Sequence, residues 1–274
     1  MRNRYLVFLA MISLFIACSK QNEIVTTPPQ PPDPPVAKVL LKDIVIPNLP
    51  PPYYHFEYNA DSTISVAAFS SNFKRYEVRY VNGRISEMIT ALQEKLHYIY
   101  DNSGKLVTVN YFDQFGTFSM QFLFNYEGQK LIELERNRLL GAVFLHNKTM
   151  SFSYYPDGNL KEIIDHRPGI NGVQQESTTT DRFIQYDNKV NVDDFDLIHN
   201  DFFDQLVLMP GVRFQKNNPL KEIVTAGDNS REVNYTYTYN DKGVPLNKTG
   251  EVIMTSGANA GQRVQTNSFY SYYQ

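Results

Sequence analysis

The chain has 274 residues, with 26 basic and 29 acidic side chains, a net charge of −3, one cysteine and no tryptophan. Mild acidity excludes the basic face that nucleic-acid binding selects, and also a polybasic attachment to anionic lipid. A single cysteine excludes an internal disulfide framework.

At the start, Arg2 and Arg4 precede an apolar run from Tyr5 to Ala17, and Cys18 closes it. A basic start, an apolar stretch of about a dozen residues and a small residue at its end are the layout of a secretory signal. The run is shorter than the roughly 20 apolar residues of a transmembrane helix. The stretch Phe15-Ile16-Ala17-Cys18 resembles the lipobox of bacterial lipoproteins, with Phe15 in place of the usual Leu. That resemblance implies cleavage before Cys18, diacylation of its sulfur and acylation of the new amine. Residues 1–17 are therefore read as a signal peptide, Cys18 as the lipidation site, and the lipid bilayer as the partner of acylated Cys18. An ordinary secreted protein and a retained anchor helix are the competing readings.

Residues 18–52 read as a tether. Ten of the fifteen prolines lie between Pro28 and Pro52. Proline lacks the amide donor and fixes φ, so Pro28-Pro29-Gln30-Pro31-Pro32-Asp33-Pro34-Pro35 excludes a helix or a central strand. Polyproline II geometry, at roughly 3.1 Å per residue, lets Ser19 to about Ala37 reach up to roughly 60 Å. A stiff stalk and a spacer without a length requirement both fit. Val39-Leu40-Leu41 and Ile44-Val45-Ile46 form either a first strand or a segment pinned to the domain edge, and Pro50-Pro51-Pro52 ends it. The domain proper is expected over residues 53–274, enough for one core.

A recurring pattern organises that domain: aromatic, one residue, Tyr, a short Asn/Asp/Gly turn, then Leu or Ile with another apolar residue three on. Tyr76–Ile85 with Met88, Tyr98–Leu106 with Val109, Phe124–Leu131 with Leu134, and Tyr154–Leu160 with Ile163 are clear copies. A weaker copy, Tyr235–Gly243, is followed by Pro245, which is expected to spoil the returning strand. Alternation places Tyr76, Val78 and Tyr80 on one face and Glu77 and Arg79 on the other. Asn-Gly and Asp-Gly supply the positive φ of tight hairpin turns. One hairpin cannot bury its face alone, so neighbours must stack in sequence order. The expected fold is all-β, an antiparallel hairpin meander curling into a barrel or half-barrel, since closure protects sheet edges.

These hairpins resemble the YD repeats of bacterial surface and toxin-shell proteins. Together with the lipid signal, Asn217-Asn218-Pro219-Leu220-Lys221-Glu222-Ile223 and the closing Tyr270-Ser271-Tyr272-Tyr273, they are similar to a Bacteroidota lipoprotein family of unknown function with a porin-like fold. The resemblance implies architecture and an outer-membrane, lipid-anchored location, periplasmic or cell-surface. It implies no site residues.

Asn191-Val192-Asp193-Asp194-Phe195-Asp196 interrupts the hairpins. Phe195, Ile198, Phe202, Leu206 and Met209 fall near helical spacing, with Asp193 or Asp194 as N-cap and Pro210-Gly211 as terminator. One short helix near 194–209, covering an open sheet end or barrel mouth, is expected. An irregular packed loop is the second reading. A Ca²⁺ site on the three carboxylates is the third, though the order of an EF-hand loop is lacking.

His55, His97, His146, His166 and His199 form no metal-spaced pair. Neither a Gly-x-Ser-x-Gly elbow nor a phosphate loop occurs. No catalytic, cofactor-binding or metal residue is assigned, and no cofactor is implied. The leading function is a noncatalytic cell-envelope lipoprotein, a binding or scaffolding module whose partner is a glycan, a peptide or another envelope protein. The alternative is an envelope hydrolase with its site at the open end of the barrel. An integral outer-membrane barrel is disfavoured, because Glu77, Arg79, Gln121 and Lys161 would break an apolar lipid-facing band.

Overall fold

Strict alternation of inward apolar and outward polar side chains, interrupted by Asx turns, folds the chain into consecutive hairpins. The computed structural model describes residues 39–199 and 206–273. Cys18, the signal 1–17 and the proline run lie outside the described residues. The strands are β1 (Leu41–Val45), β2 (Tyr54–Tyr58), β3 (Ile64–Phe69), β4 (Lys74–Val81), β5 (Arg84–Thr90), β6 (Lys95–Tyr100), β7 (Leu106–Phe112) and β8 (Phe118–Glu127). They continue as β9 (Lys130–Leu140), β10 (Val143–Tyr154), β11 (Leu160–Arg167), β12 (Ser177–Val190), β13 (Asn217–Thr225), β14 (Arg231–Tyr239), β15 (Pro245–Met254) and β16 (Arg263–Tyr272). Each pairs antiparallel with its sequence neighbours, and β1 pairs with β16 through Leu41–Tyr272 and Ile44–Tyr270. The result is a closed barrel. Closure leaves no open edge to pair with another chain.

The barrel therefore begins before residue 53. Leu41 and Ile44 are buried inside, so β1 is the closing stave of the wall and not part of the tether. Pro245 also departs from expectation. It is the first residue of β15, where a missing amide donor is tolerated, and β14 pairs with β15 along its whole length.

Turn chemistry fixes the hairpins. Asn82 and Gly83 both have positive φ, 50° and 75°, the geometry of a two-residue turn that matches strand twist. At the β6–β7 turn, Asp101 accepts the amides of Ser103 and Lys105 while Gly104 takes φ 91°.

The repeated tyrosine has a structural role that its spacing alone does not reveal. At the end of each of seven even-numbered strands its hydroxyl donates to a main-chain carbonyl near the start of the preceding strand. Tyr58 bonds Leu41 at 2.8 Å, Tyr80 bonds Ile64 at 2.8 Å and Tyr100 bonds Ile85 at 2.9 Å. Tyr154 bonds Leu131, Tyr186 bonds Leu160, Tyr237 bonds Pro219 and Tyr272 bonds Pro245 in the same way. These strand pairs have their turns at the far end, so each tyrosine clamps one hairpin to the one before it. Arg84, Lys105 and Lys130 lie over the rings of Tyr100, Tyr126 and Tyr154, adding a cation–π layer to this rim.

Side chains facing the lumen form one apolar core. Tyr76, Met88, Leu96, Leu106, Phe122 and Phe183 are among its fully buried members. The outer face is largely polar, with a few exposed apolar side chains such as Ile99 and Ile184. Arg75 pairs with Glu57, Arg79 with Glu87 and Arg182 with Glu162. Asn110, Gln121 and Asn137 make a side-chain ladder across β7, β8 and β9.

Candidate functional site

Between β12 and β13, the described residues 191–199 and 206–216 fold into the lumen and meet the wall. Among them the helical content is one 3-10 turn, Asp194–Leu197; Leu206–Met209 has no helical structure. Of the short helix expected near 194–209, the described residues show only this first turn, and the three or four regular turns do not extend to Leu206–Met209. Its basis was a stripe with one wet face, but this segment is buried on more than one side. Consecutive Leu206 and Val207 are each 1% exposed. Pro210-Gly211 lies in a turn closed by the Val212 amide on Met209 at 3.0 Å, with no helix at Leu206–Met209 for it to terminate.

Ile198, Leu206, Val207 and Phe214 join the core of the barrel wall. Between Ile198, Leu206 and the wall residues Phe122, Leu134 and Met150 only a void of about 10 Å³ remains. That is at the lower limit for a single water. The segment is a plug.

Its aspartates hold it in place by diverging. Asp193 accepts Lys248 Nζ of β15 at 3.1 Å and the Tyr270 hydroxyl of β16 at 2.5 Å. Asp194 accepts the Phe214 amide at 3.0 Å, tying the plug to its own return. Asp196 accepts the Tyr54 hydroxyl of β2, which also lies 2.9 Å from His199 Nδ1. The expected N-cap role of Asp193 is absent, because its carboxylate is engaged with the wall instead. The three carboxylates face different partners, and no group of three His, Cys, Asp or Glu side chains converges among the described residues.

Burial dominates the electrostatics here. It raises the carboxyl of Asp194 to about 6, partly offset by the Phe214 amide and Arg213. It also raises Asp196, where the Tyr54 hydrogen bond pulls the other way. Lys248 loses solvation, but Asp193 and the surrounding oxygens outweigh that loss and keep it charged. Further along the inner wall Asp181 is pushed up to about 7 by burial and by Glu222. Glu222 accepts the Tyr235 hydroxyl at 2.6 Å. Asp165 lies 3.4 Å from Lys148 and 3.2 Å from Arg167.

The five histidines are spread apart. His55 lies against Asp43 and Glu57, and His97 against Glu87. His146 meets Thr149, and His166 meets Thr178 on the outer face, opposite inward Asp165. Only His199 reaches the plug. Sequence reasoning missed Tyr54, Lys248 and Tyr270 as plug partners. A lysine at an inward position of β15, between outward Asn247 and Thr249, was the available signal. Two clefts open to solvent. One of about 310 Å³ lies among Lys105, Tyr126, Gln129 and Gly211. One of about 540 Å³ lies along Tyr235, Tyr237 and Tyr239, where β13 and β14 stop pairing beyond Lys221–Asn234.

The architecture defines a sixteen-stranded, porin-like barrel. Among the crystal structures that share it are a porin-like protein from Bacteroides uniformis and another from Bacteroides vulgatus. The first has a TM-score of 0.60 at 13% identity over 87% of this chain and 97% of that one. The second has a TM-score of 0.59 at 15% identity over 85% and 99%. At these identities the likeness is one of fold. No family model matches the chain, and no curated protein matches its sequence.

Proposed function

We propose that this chain is a noncatalytic cell-envelope lipoprotein, a water-facing barrel tethered to the outer membrane through acylated Cys18 and serving as a binding or scaffolding module. One observation carries the reading: the polarity of the wall is the reverse of a membrane pore. A lipid-spanning barrel needs an apolar outer band and a polar lumen. Here Glu77, Arg79 and Lys161 are exposed on the outside, while the lumen is packed shut by an apolar core and the plug, with largely buried ionisable groups such as Lys148, Asp181 and Lys248 set among them. The porin-like neighbours and the export signal support an envelope location. With a wet outer wall, attachment falls to the lipid on Cys18. A glycan, a peptide or another envelope protein is the partner class that the solvent-open clefts suit.

The test is membrane extraction of the full chain made in a host with a lipoprotein pathway. The expected protein begins at a lipid-modified Cys18, floats with membranes, and leaves them in soluble folded form once the proline tether is cut by protease. Discrete ion conductance across a planar bilayer, or a barrel that stays embedded after the cut, would overturn the reading.

A further inference from the structure

The two rims of the barrel differ in a way that the hairpin repeat does not require. At the tyrosine rim the turns carry Asn, Asp, Ser, Pro and Gly, and the exposed large aliphatic residues there, Val81, Ile99, Val190 and Leu246, lie in the first or last two residues of strands and not in turns. At the opposite rim each of six consecutive connections, from β1–β2 to β11–β12, presents an exposed large apolar side chain. These are Leu49, Phe73, Leu92, Phe115 and Val173 within the turn, and Val143 at the first residue of β10, beside the Gly141-Ala142 turn. Phe73 and Phe115 are each 83% exposed, the highest values among the exposed large hydrophobic residues. The β13–β14 and β15–β16 turns, Ala226–Ser230 and Thr255–Gln262, are small and polar, so the apolar tips form an arc.

The geometry points to this arc as a membrane-docking rim that dips into the surface of a lipid bilayer. Behind the tips, Phe112, Phe118 and Phe144 line up on the outer wall, with ring centroids 5.5 and 4.7 Å apart. Aromatic residues at that depth suit the headgroup boundary. Charge is sparse in these turns: Asp113 is held by the amides of Phe115 and Thr117, Glu94 is paired with Lys74, and Glu176 is the exposed carboxylate of the β11–β12 turn. Successive tips are separated by a pair of strands, roughly 10 Å at the usual strand spacing. A protein partner is held by a contiguous, close-packed patch. A fluid bilayer accepts separate protruding wedges, and burying each contributes through the hydrophobic effect alone. Attachment of this kind is independent of anionic lipid and resists salt.

The inference rests in part on the lipoprotein reading, which supplies the bilayer. The reach expected of the tether from its sequence, up to roughly 60 Å, would let either rim turn toward it. With one apolar rim the barrel acquires a fixed orientation: the lumen axis stands on the membrane and the tyrosine rim points away.

The chain contains no tryptophan, so a single introduced one is a clean reporter. Full-length Phe115→Trp and, at the opposite rim, Ser103→Trp would be reconstituted into phosphatidylcholine vesicles with and without brominated acyl chains. Phe115→Trp should shift to the blue and lose emission to brominated lipid, at low and high salt alike, while Ser103→Trp should do neither. Adding Phe73→Ser, Leu92→Ser and Val173→Ser to Phe115→Trp should abolish the quenching without unfolding the barrel, since these side chains are exposed. Equal quenching at both rims, or at neither, would overturn the proposal. So would a blue shift without vesicles, the mark of a protein partner or a second copy. The mass of the N-terminal peptide is read in parallel. An unmodified Cys18 with quenching at Phe115→Trp sinks the anchor and leaves the rim; an acylated Cys18 without quenching does the reverse.

Discussion

Tyr270 on β16 and Asp193 in the plug meet inside the barrel at 2.5 Å, joining a strand of the wall to a loop 77 residues away in sequence. Lys248 on β15 reaches the same carboxylate oxygen, so two strands hold one aspartate. Removing Asp193 by Asp193→Ala leaves a largely buried lysine without its counter-ion. The expected cost is about 3–5 kcal/mol, the usual penalty for breaking a buried pair. Tyr270→Phe removes one hydrogen bond and should cost about 1–3 kcal/mol. Urea unfolding of the variants checks both, and equal losses would show that Lys248 is not the main dependent of Asp193.

Stability should increase as the pH falls from 8 to 5. Asp181 and Asp194 have folded-state values of about 7 and about 6, raised above the ordinary aspartate range. Each binds its proton more tightly in the folded chain, so its contribution is full below the unfolded value and is lost as pH rises through 6 to 7. Asp181→Asn should flatten the upper part of that profile and raise stability at pH 8 by roughly 2 kcal/mol. Thermal melts from pH 5 to 8 provide the measurement, and an unchanged slope in the variant would sink the assignment.

The tyrosine clamps act locally. Tyr100→Phe keeps the ring against Arg84 but removes the bond to Ile85, at an expected cost of about 1 kcal/mol. Tyr154→Phe should cost a similar amount. The double variant should show near-additive loss in urea, because the two clamps serve different hairpins. Strong non-additivity would mean that the belt acts as one unit.

Gly250 on β15 lies where a side chain has no room. A Cβ there would stand 2.7 Å from Thr266 Oγ1 and 3.1 Å from the Tyr235 ring. Gly250→Ala should therefore displace Tyr235 from Glu222 and destabilise the barrel by about 1–3 kcal/mol. Pairing it with Thr266→Ala should recover part of the loss, and no recovery would place the strain on Tyr235 alone.

What could be read from the residues followed from period and turn chemistry. Tyr76, Val78 and Tyr80 alternate with Glu77 and Arg79, and the structure keeps that division of faces. Asn82-Gly83 marks its turn by composition, and sequence-order pairing follows from short connections. Closure was less accessible. The β1–β16 pairing depends on a strand buried in a proline-rich context, where Leu41 and Ile44 had no repeat around them to announce their role. The plug was misread because helical spacing and burial on several sides give the same apolar residues. Phe195, Ile198 and Leu206 satisfy both, and only the wall partners Tyr54, Lys248 and Tyr270 decide between them. The polarity of the outer wall was readable residue by residue at Glu77 and Arg79. The apolar rim was not, since one Phe or Leu in a turn means little until six neighbouring connections share an end.

Neighbour-only pairing makes the barrel a counted object. Apart from the β1–β16 seam, each hairpin forms its strand pairing only with the hairpin before it and the one after it, and the tyrosine clamp follows the same rule. Inserting or deleting one whole repeat changes the circumference by two strands and leaves the other contacts along the wall in kind as they were. Girth is thus an independent variable of this architecture, set by repeat number. Plug length is the quantity that must change with it, because the lumen to be filled widens as the ring grows.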